Sequence, residues 1–433
     1  MMSNQSVGNN SESAVRSQPL FDNAVTLCLL LGPLLQTYGW QSMNFATIFT
    51  LLLLPFYVFY YGLRPNLPRL LLAYFIYWLI AHTVWSRSLG AVIHLGAVRL
   101  LLFYLMYYNC IHLDDLLRQY KAIGIVCIVF LLYQSATYEL FGYRVSGVLK
   151  FLPLNIHTLD KEYYYELVEL RSRSASFFSE PSHFCQYMMP LLCLELFYDK
   201  KLNRWLYVFL IVVSVLLSQS GNGILGLAVV AMFYTIHTIF DRHKPLILRF
   251  LFIFTLTTIV PLGITWYMQT EQGQDLWERR IELVSTDGNI GDGTHAGISG
   301  FLRIFRGYYV YGDYSTLEKV IGHDNNDAIR SHFRSSHMDM FMEDENDLYF
   351  NNIQEILVRT GIIGLLIFLS FLISEFRQAE LSGKAILLTY LALSFIAPFY
   401  FSYMGALYLL SAHGHPSSHG DNENSHPDSC ILS

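Results

Sequence analysis

The sequence predicts an all-α protein that crosses a membrane about ten to twelve times. Three observations support this fold class. The chain of 433 residues is 53% hydrophobic and only 14% charged, whereas a soluble domain carries about 25% charged residues. Apolar runs long enough to span a bilayer recur along the chain. Basic residues are concentrated in alternate connections between those runs, as expected for a polytopic membrane protein.

Charge and cysteine usage exclude several classes of protein. The formal net charge of -6 leaves no polybasic surface for nucleic acid. The six cysteines lie mostly in apolar runs and form neither a CxxC pair nor a His/Cys ligand pattern. We therefore expect no nucleic-acid partner, no disulfide framework, no metal and no cofactor.

The apolar runs divide the chain into membrane regions and polar regions. Because a bilayer core offers no water to backbone groups, each run is expected to be a helix. The runs lie near 22–38, 43–63, 67–85, 91–111, 123–141, 183–198, 205–219, 223–240, 247–268, 352–375 and 385–410. The predicted regions are a polar tail (1–21), N-terminal spans (22–142), a first external loop (143–182), central spans (183–268), a large external loop (269–351), C-terminal spans (352–410) and a His-rich tail (411–433).

The two ends of this arrangement need separate interpretation. The first run lacks a small-residue cleavage site, so we expect it to be retained as an anchor. The last run carries Pro398 near its middle. It could be one kinked helix or two short segments folded back, and the side of the C-terminus depends on which is formed.

Orientation follows from the basic residues in short loops, which stay on the cytoplasmic side. The opposite short loops carry only Arg87. The basic set is Arg64, Arg69, Arg118, Lys121, Lys200, Lys201, Arg204, Arg242, Lys244, Arg249, Arg377 and Lys384. This asymmetry predicts a cytoplasmic N-terminus, with both long polar loops outside.

The first external loop ends in charged residues beside the next span. Arg171, Arg173 and Glu180 precede the run that begins near 183. A guanidinium offers a planar set of donors that binds phosphate oxygens in pairs, so these arginines could hold a diphosphate. Anchoring at the membrane surface, or a salt bridge to Glu180, is the alternative interpretation.

The large external loop combines arginines with aromatic residues. Arg303 and Arg306 lie among tyrosines and phenylalanines, which are side chains that sugar rings can pack against. This composition favours a folded cap with short helices over a disordered loop. The acidic run 343–347 lacks the alternation of a calcium loop, so a solvated acidic surface is the simpler interpretation.

Charged and polar residues near the spans offer further candidates. Arg99 lies inside an apolar run, where a cation is costly and usually faces the bundle or a cavity. Glu355 and Arg359, four residues apart on one helix, are predicted to be internal partners. The polar stretch 218–223 is predicted to form a tight turn between two external helix ends.

Several segments together resemble the bacterial O-antigen and capsule repeat-unit polymerases, usually called Wzy, within the superfamily that includes the O-antigen ligases. The resemblance covers most of the chain. Its segments are 173–182, 217–223, Ser299-Gly300 with Arg303 and Arg306, Ile321-Gly322, and Asn351-Asn352 through Gly364. Arg306 precedes Gly322 by fifteen intervening residues, a spacing similar to one described for such polymerases. The companion spacing, with ten intervening residues, is absent after Arg171 and Arg173.

The resemblance implies a GT-C-like membrane glycosyltransferase of the bacterial inner membrane, acting at the periplasmic face. Such an enzyme moves a growing glycan from undecaprenyl diphosphate to the terminal hydroxyl of another lipid-linked repeat unit. Its implied partners are undecaprenyl-diphosphate-linked oligosaccharides, membrane lipids and a chain-length regulator. The residues that match the implied roles are Arg99, Arg173, Arg303 and Arg306 for the diphosphate, and Glu180 and His323 for acid-base work or acceptor positioning.

Two other functions are weighed against the polymerase. The similar ligases have a histidine before the Asn-rich start of the late span, where this chain has Phe350. A phenyl ring cannot accept a proton, so the ligase hypothesis loses its base unless His323 or another group replaces it. A transporter or flippase of lipid-linked sugars is the alternative from another class, but the chain shows no internal duplication of broken helices.

Overall fold

The computed structural model describes residues 19–40, 43–62, 67–85, 110–154, 173–241, 295–323, 325–335, 350–399 and 402–414, with isolated positions between 245 and 269. Its helices are α1 (Pro19–Leu35), α2 (Phe45–Tyr61), α3 (Arg69–Trp85), α4 (Leu113–Phe141), α5 (Pro181–Phe197), α6 (Arg204–Leu217), α7 (Gly221–Phe240), α8 (His295–Asp313), α9 (Thr316–Ile321), α10 (Asn326–Ser335), α11 (Asn352–Gln378), α12 (Leu381–Leu393) and α13 (Tyr403–His413). Two short antiparallel strands, β1 (Gly39–Trp40) and β2 (Met43–Asn44), join α1 to α2.

Three of these helices, α4, α7 and α11, are long and apolar enough to cross a membrane. Shorter apolar helices include α1, α2, α6 and α12. Large apolar side chains such as Phe56, Val129, Phe209 and Leu366 point away from the protein core and are exposed. A surface of this kind suits lipid better than water. The structure thus agrees with an all-α membrane protein, while the total of ten to twelve spans stays a prediction.

The core is built around α5. Every residue from Phe184 to Glu195 is buried, and α5 contacts α4, α6, α7, α12 and α13. A helix that is apolar on all sides is expected at the centre of a bundle rather than at its edge. The 11-residue helix α13 is enclosed in the same way, with Tyr403 through Ala412 buried.

The last apolar run forms two short helices folded back on each other. Helix α12 ends at Leu393, helix α13 begins at Tyr403, and Pro398 lies in the link between them. At the other end of the pair, Gly383 packs against the carbonyl oxygen of Ala412. Of the two forms that the sequence left open, the structure has the hairpin.

The helix ends meet at two opposite faces of the bundle. One face, here called the basic face, contains the starts of α1, α4, α6 and α12 and the ends of α2, α5, α11 and α13. Contacts join its members: Tyr61 donates to Asp22, Tyr198 donates to Asp114, and His413 pairs with Glu375. The other face, here called the loop face, contains the opposite ends of these helices, the segments 143–154 and 173–180, and the helices α8 to α10. At the loop face Thr47 bonds Tyr403, and Asn352 bonds Ser394.

Three predicted spans differ from the structure or lie mostly outside its described residues. The run near 123–141 belongs to a longer helix that begins at Leu113. The first turn of this helix is polar and carries Asp114 and Asp115. Acidic residues favour the positive end of a helix dipole, and hydropathy alone does not detect such a turn. Most of the run near 91–111 and most of the run near 247–268 fall outside the described residues.

Candidate functional site

Arg173 lies in a segment that is firmly attached to α4. Ser176 has a left-handed backbone (φ 55°); its N–H donates to Gln134 Oε1 at 2.8 Å, and its hydroxyl donates to the carbonyl oxygen of Cys127 at 2.7 Å. The rings of Phe177 and Phe130 stack with centroids 4.3 Å apart. Arg173 is therefore presented from an ordered part of the first loop.

The guanidinium of Arg173 reaches the turn between α6 and α7. Its Nη1 donates to the carbonyl oxygen of Gln219 at 3.3 Å. Gln219 also has a positive φ of 51°, and a Cβ on Gly223 would lie 2.6 Å from Cys185 Sγ. The predicted tight turn at 218–223 is thus confirmed, and Gly223 is required for close packing of α7 on α5.

This turn places Arg173 at the N-terminus of α7. Ser220 is the N-cap residue of α7, and its side chain makes no capping hydrogen bond. The first N–H groups of a helix and its dipole both favour an anion. A guanidinium beside such a helix start is a suitable arrangement for phosphate oxygens.

Glu180 occupies the N-terminus of a different helix, α5. Its backbone carbonyl accepts the N–H of His183, and its Oε2 accepts the hydroxyl of Ser182 at 2.9 Å. Pro181 follows as the first helical residue. A carboxylate is favoured at this positive helix end. Because Glu180 already places a negative charge here, the start of α5 suits the handling of a hydroxyl group better than the binding of a diphosphate.

Arg306 lies in α8, in the cap formed by α8, α9 and α10. Arg306 is buried, with 6% of its surface exposed. The next residue, Gly307, packs directly on the side chain of Gln354, and Gln354 Nε2 donates to the carbonyl oxygen of Ile304 at 2.5 Å. Helix α8 is thereby fixed to the start of α11. The backbone of Arg303 also lies in α8, one helical turn before Arg306, but its side chain lies outside the described residues.

His323 follows the end of α9 and belongs to a cluster of titratable side chains. Its Nε2 lies 3.9 Å from Oε1 of Glu318, and Nε2 of His332 lies 3.8 Å from the same oxygen. The ring of Tyr314 packs edge-on against His332 with centroids 4.9 Å apart. The other oxygen of Glu318 accepts the N–H of Ser315 at 2.8 Å in a capping box. The capping box therefore directs Oε1 of Glu318 toward the two imidazoles.

The hydrogen bonds of His323 define its tautomer. The N–H of Asn325 donates to His323 Nδ1 at 3.3 Å. Since Nδ1 accepts, the proton of the neutral ring lies on Nε2, facing Glu318. His323 could therefore accept another proton at Nδ1 only after losing the bond from Asn325.

The pKa of Glu318 is shifted by this cluster. Burial acts to raise the pKa of the carboxyl group, but the hydrogen bonds from Ser315 and the neighbouring His332 and His323 act in the opposite direction. The result is a pKa below the ordinary value of 4.5. Glu318 is thus ionised at neutral pH and can orient both rings.

The cap is joined to α11 at a break in that helix. Gly361 has a φ of +64°, and Gly322 has a φ of +78°. A Cβ on Gly361 would lie 2.4 Å from the carbonyl oxygen of Val320, and one on Gly322 would lie 2.3 Å from the carbonyl carbon of Arg359. The N–H of His323 donates to the carbonyl of Val358 at 2.9 Å. The position of His323 therefore depends on two glycines that allow the backbones to touch.

The Asn-rich start of α11 is a closed structural joint. The N–H groups of Asn352 and Ile353 donate to the carbonyls of Ala397 and Ser394, and Gln354 N–H donates to Asn351 Oδ1 at 2.9 Å. Because the first N–H groups of α11 are satisfied within the protein, this helix start is not available to phosphate. Phe350, where similar ligases have a histidine, is buried with 1% exposed.

The structure places the predicted site residues in two groups on the loop face. Arg173 and Glu180 belong to the link between α4 and α5, and Arg306 and His323 belong to the cap on α11. Arg99 lies outside the described residues. The predicted pair of Glu355 and Arg359 is confirmed, with Arg359 Nε donating to Glu355 Oε1. A second donor of Arg359, Nη1, bonds Asn326 Oδ1 of α10 at 3.1 Å.

Sequence reasoning missed Glu318 and His332. The signal for Glu318 was present as a Ser-x-x-Glu capping box at 315–318, which marks a helix start and fixes the glutamate side chain. His332 had no comparable signal, because only the fold of α10 brings it to Glu318. A scan against models of known protein families found no match, and neither did a search of curated proteins.

Proposed function

We propose that this protein is a membrane glycosyltransferase that polymerises oligosaccharide repeat units carried on undecaprenyl diphosphate. One observation carries the proposal: Arg173 and Arg306 both belong to ordered segments on the loop face. Arg173 lies at the start of α7, and Arg306 lies in α8, whose neighbouring residues Ile304 and Gly307 contact Gln354 at the start of α11. Two positions for cations on one face of a membrane bundle suit a reaction in which a lipid diphosphate is the leaving group.

The proposed reaction breaks the bond between the anomeric carbon of the growing glycan and its phosphate oxygen. A hydroxyl oxygen of the second lipid-linked unit forms the new bond to that carbon. Undecaprenyl diphosphate leaves with the electron pair, and the proton of the hydroxyl passes to a base. Arginine can stabilise the leaving diphosphate without a metal, because its charge persists at all relevant pH values.

Glu180 is the better candidate for the base. Its carboxylate lies at a helix start, and Ser182 donates to it at 2.9 Å. The acceptor nitrogen of His323 already takes the N–H of Asn325. We therefore assign proton acceptance to Glu180, and we assign His323 to positioning within the cap.

A ligase activity is less well supported. At the position where ligases have a histidine, this chain has Phe350 with 1% of its surface exposed, which excludes any direct contact with an acceptor. The neighbouring Asn351 and Asn352 bond to the backbone of Phe395 and to Ser394, so they stabilise a joint between helices.

The proposal is tested by complementing a deletion of the gene in its native host and separating the surface glycan on a gel. Wild type is expected to restore a ladder of chain lengths, and Arg306→Ala and Arg173→Gln are expected to give a single capped repeat. Arg306→Ala could fail through misfolding, because Arg306 is buried. Arg173 is exposed, so its variant separates function from folding. Lys319→Gln in α9 is the control and should restore the full ladder, with membrane levels of each variant checked by an epitope tag.

Other outcomes of the same gel identify the alternatives. Polymer that accumulates on its lipid carrier after deletion would indicate a ligase. Repeat units that stay on the cytoplasmic face would indicate a flippase. A normal ladder from both arginine variants would overturn the proposed diphosphate site.

A further inference from the structure

A large cleft opens on the basic face, opposite the proposed catalytic site. It has a volume of about 1150 Å³ and lies between the starts of α4, α6 and α12 and the end of α5. Its lining combines apolar side chains, including Ile125 and Phe197, with charged side chains. We propose that this cleft binds a phospholipid whose headgroup carries both a phosphodiester and a primary ammonium, of the phosphatidylethanolamine class.

The charge of the lining argues for a zwitterionic ligand. Four carboxylates and four cationic side chains line the cleft, so their formal charges cancel. The carboxylates are those of Asp114, Asp115, Asp199 and Glu380. The cationic side chains are those of Arg118, Lys121, Lys200 and Lys201. A headgroup with a single charge would face as many like charges as opposite ones, whereas a headgroup with both charges can match both sets.

Part of this charge is already used to fix the walls. Lys121 Nζ lies 2.5 Å from Asp199 and 2.9 Å from the buried Glu195, which joins α4 to α5. Arg118 Nη2 lies 2.6 Å from Asp115 within α4. These pairs join α4 to α5 and order the charged side chains at this end of α4.

Two further carboxylates of the lining, those of Asp114 and Glu380, are here called the acidic corner. The hydroxyl of Tyr198 donates to Asp114 Oδ1 at 2.9 Å. Burial, and after it the hydrogen bond to Asp114 and the negative charges of Asp114, Glu380 and Asp199, raise the pKa of this hydroxyl. Glu380 lines the same cleft. A primary ammonium has three N–H donors and can bond both carboxylates at once.

Two further cations of the lining, Lys200 and Lys201, are here called the basic corner. Lys200 and Lys201 are exposed, and among the described residues their ammonium groups form no ion pair. Phosphate oxygens are suitable partners for them. An ethylene bridge separates the phosphate of an ethanolamine headgroup from its ammonium, so the proposed lipid places its phosphate at the basic corner, its ammonium at the acidic corner and its acyl chains along the apolar lining residues. Juxtamembrane basic sites between helices commonly bind lipid phosphates.

The test is native mass spectrometry of the full-length protein in detergent, titrated separately with phosphatidylethanolamine, phosphatidylglycerol and phosphatidylcholine of identical acyl chains. We expect the ethanolamine lipid to bind at least about fivefold more tightly than the other two, because neither has N–H donors for the acidic corner. Phosphatidylglycerol binding as tightly as phosphatidylethanolamine, or equal binding of all three lipids, would overturn the proposal.

Variants separate the two corners. Asp114→Asn with Glu380→Gln should weaken the ethanolamine lipid about fivefold and leave phosphatidylglycerol unchanged or tighter. Lys200→Gln with Lys201→Gln should weaken both lipids, and these exposed positions should leave the thermal unfolding midpoint unchanged. Lys319→Gln on the loop face is the matched control and should change nothing. If both double variants still bind phosphatidylethanolamine more tightly than the other two lipids by the wild-type factor, the cleft is not the binding site. The experiment is independent of the proposed glycosyl transfer.

Discussion

At the scale of single residues, Glu318 shows how a helix cap can organise a polar site. One carboxylate oxygen bonds the backbone of Ser315 at the start of α9, and the other lies 3.8 and 3.9 Å from two imidazole nitrogens. A glutamate in a capping box loses much of its side-chain freedom. The capping box at the start of α9 therefore gives the side chain of Glu318 a defined orientation that a surface glutamate would lack.

The lowered pKa of Glu318 predicts acid sensitivity of the cap. A carboxyl group whose pKa is lower in the folded state stabilises the fold above its unfolded pKa, which is about 4.5. This stabilisation is lost as the pH falls through the still lower folded-state value. We expect hydrogen exchange of 315–335, corrected for intrinsic rates, to show loss of protection between about pH 5 and pH 3.

The variant Glu318→Gln provides the comparison. It cannot titrate, so its cap should be less protected than wild type at pH 6 and should change less between pH 5 and pH 3. Gln can still accept the N–H of Ser315, so the expected loss at pH 6 comes from the missing negative charge at the start of α9 and is about 0.5 kcal/mol. Identical pH profiles for wild type and the variant would refute the assigned role of Glu318.

The candidate site could be predicted only in part, and individual residues show why. Arg173 and Arg306 were recognisable, because arginines beside spans and among aromatics are a local pattern. The constraint on His323 was not recognisable in the sequence, because the hydrogen bond from Asn325 and the contact with Glu318 depend on the backbone geometry after α9. His332 is brought to the cluster by the fold of α10, which leaves no local sequence signal.

At the scale of elements, the junction between α9 and α11 depends on paired glycines. Gly361 interrupts α11 with a φ of +64°, and its Cα approaches the carbonyl oxygen of Val320 so closely that a Cβ would lie at 2.4 Å. A non-glycine residue is disfavoured there both by its backbone conformation and by contact with backbone atoms that cannot move aside.

Gly361→Ala is therefore expected to destabilise the protein by about 2–4 kcal/mol, in the range of substitutions that combine strain with overpacking. The thermal unfolding midpoint in detergent measures this effect. Gly312→Ala in α8 is the matched control, because a Cβ at Gly312 would meet nothing within 4 Å. It should be neutral or slightly stabilising, since alanine favours helix. Equal midpoints for the two variants would contradict the close packing at Gly361.

Element boundaries were predictable where hydropathy alone decides them. Helices α1, α2 and α3 fall within a few residues of the apolar runs near 22–38, 43–63 and 67–85. The run near 385–410 could not be resolved, because an apolar stretch with a central proline fits a kinked helix and a hairpin equally well. Packing of Gly383 against Ala412 selects the hairpin.

At the scale of the whole molecule, the hairpin of α12 and α13 returns the chain to the basic face. His413 at the end of α13 pairs with Glu375 at the end of α11, with His413 Nδ1 and Glu375 Oε2 2.9 Å apart, and Gly414 packs on Leu113 at the start of α4. The start of α1 lies at the same face, because Asp22 bonds Tyr61 at the end of α2. With basic loops kept in the cytoplasm, both ends of the described chain are expected there.

Two exposed leucines on opposite faces test this orientation. Leu202 lies between α5 and α6 on the basic face and is 92% exposed, and Leu317 lies in α9 on the loop face and is 60% exposed. We expect a membrane-impermeant thiol reagent to label Leu317→Cys in spheroplasts and to label Leu202→Cys only after permeabilisation. Background should be low with Cys430 replaced by serine, because the described native cysteines are buried or half-buried.

The pattern of labelling distinguishes the possible arrangements. A tag at the C-terminus should behave like Leu202→Cys, because α13 ends at the basic face. Labelling of Leu202→Cys alone would invert the orientation and place the arginine-bearing face in the cytoplasm, where the proposed polymerisation could not occur. Labelling of both cysteines in spheroplasts would mean that no membrane separates the two faces. The lipid cleft and the glycosyl transfer site would then lack the bilayer that each requires.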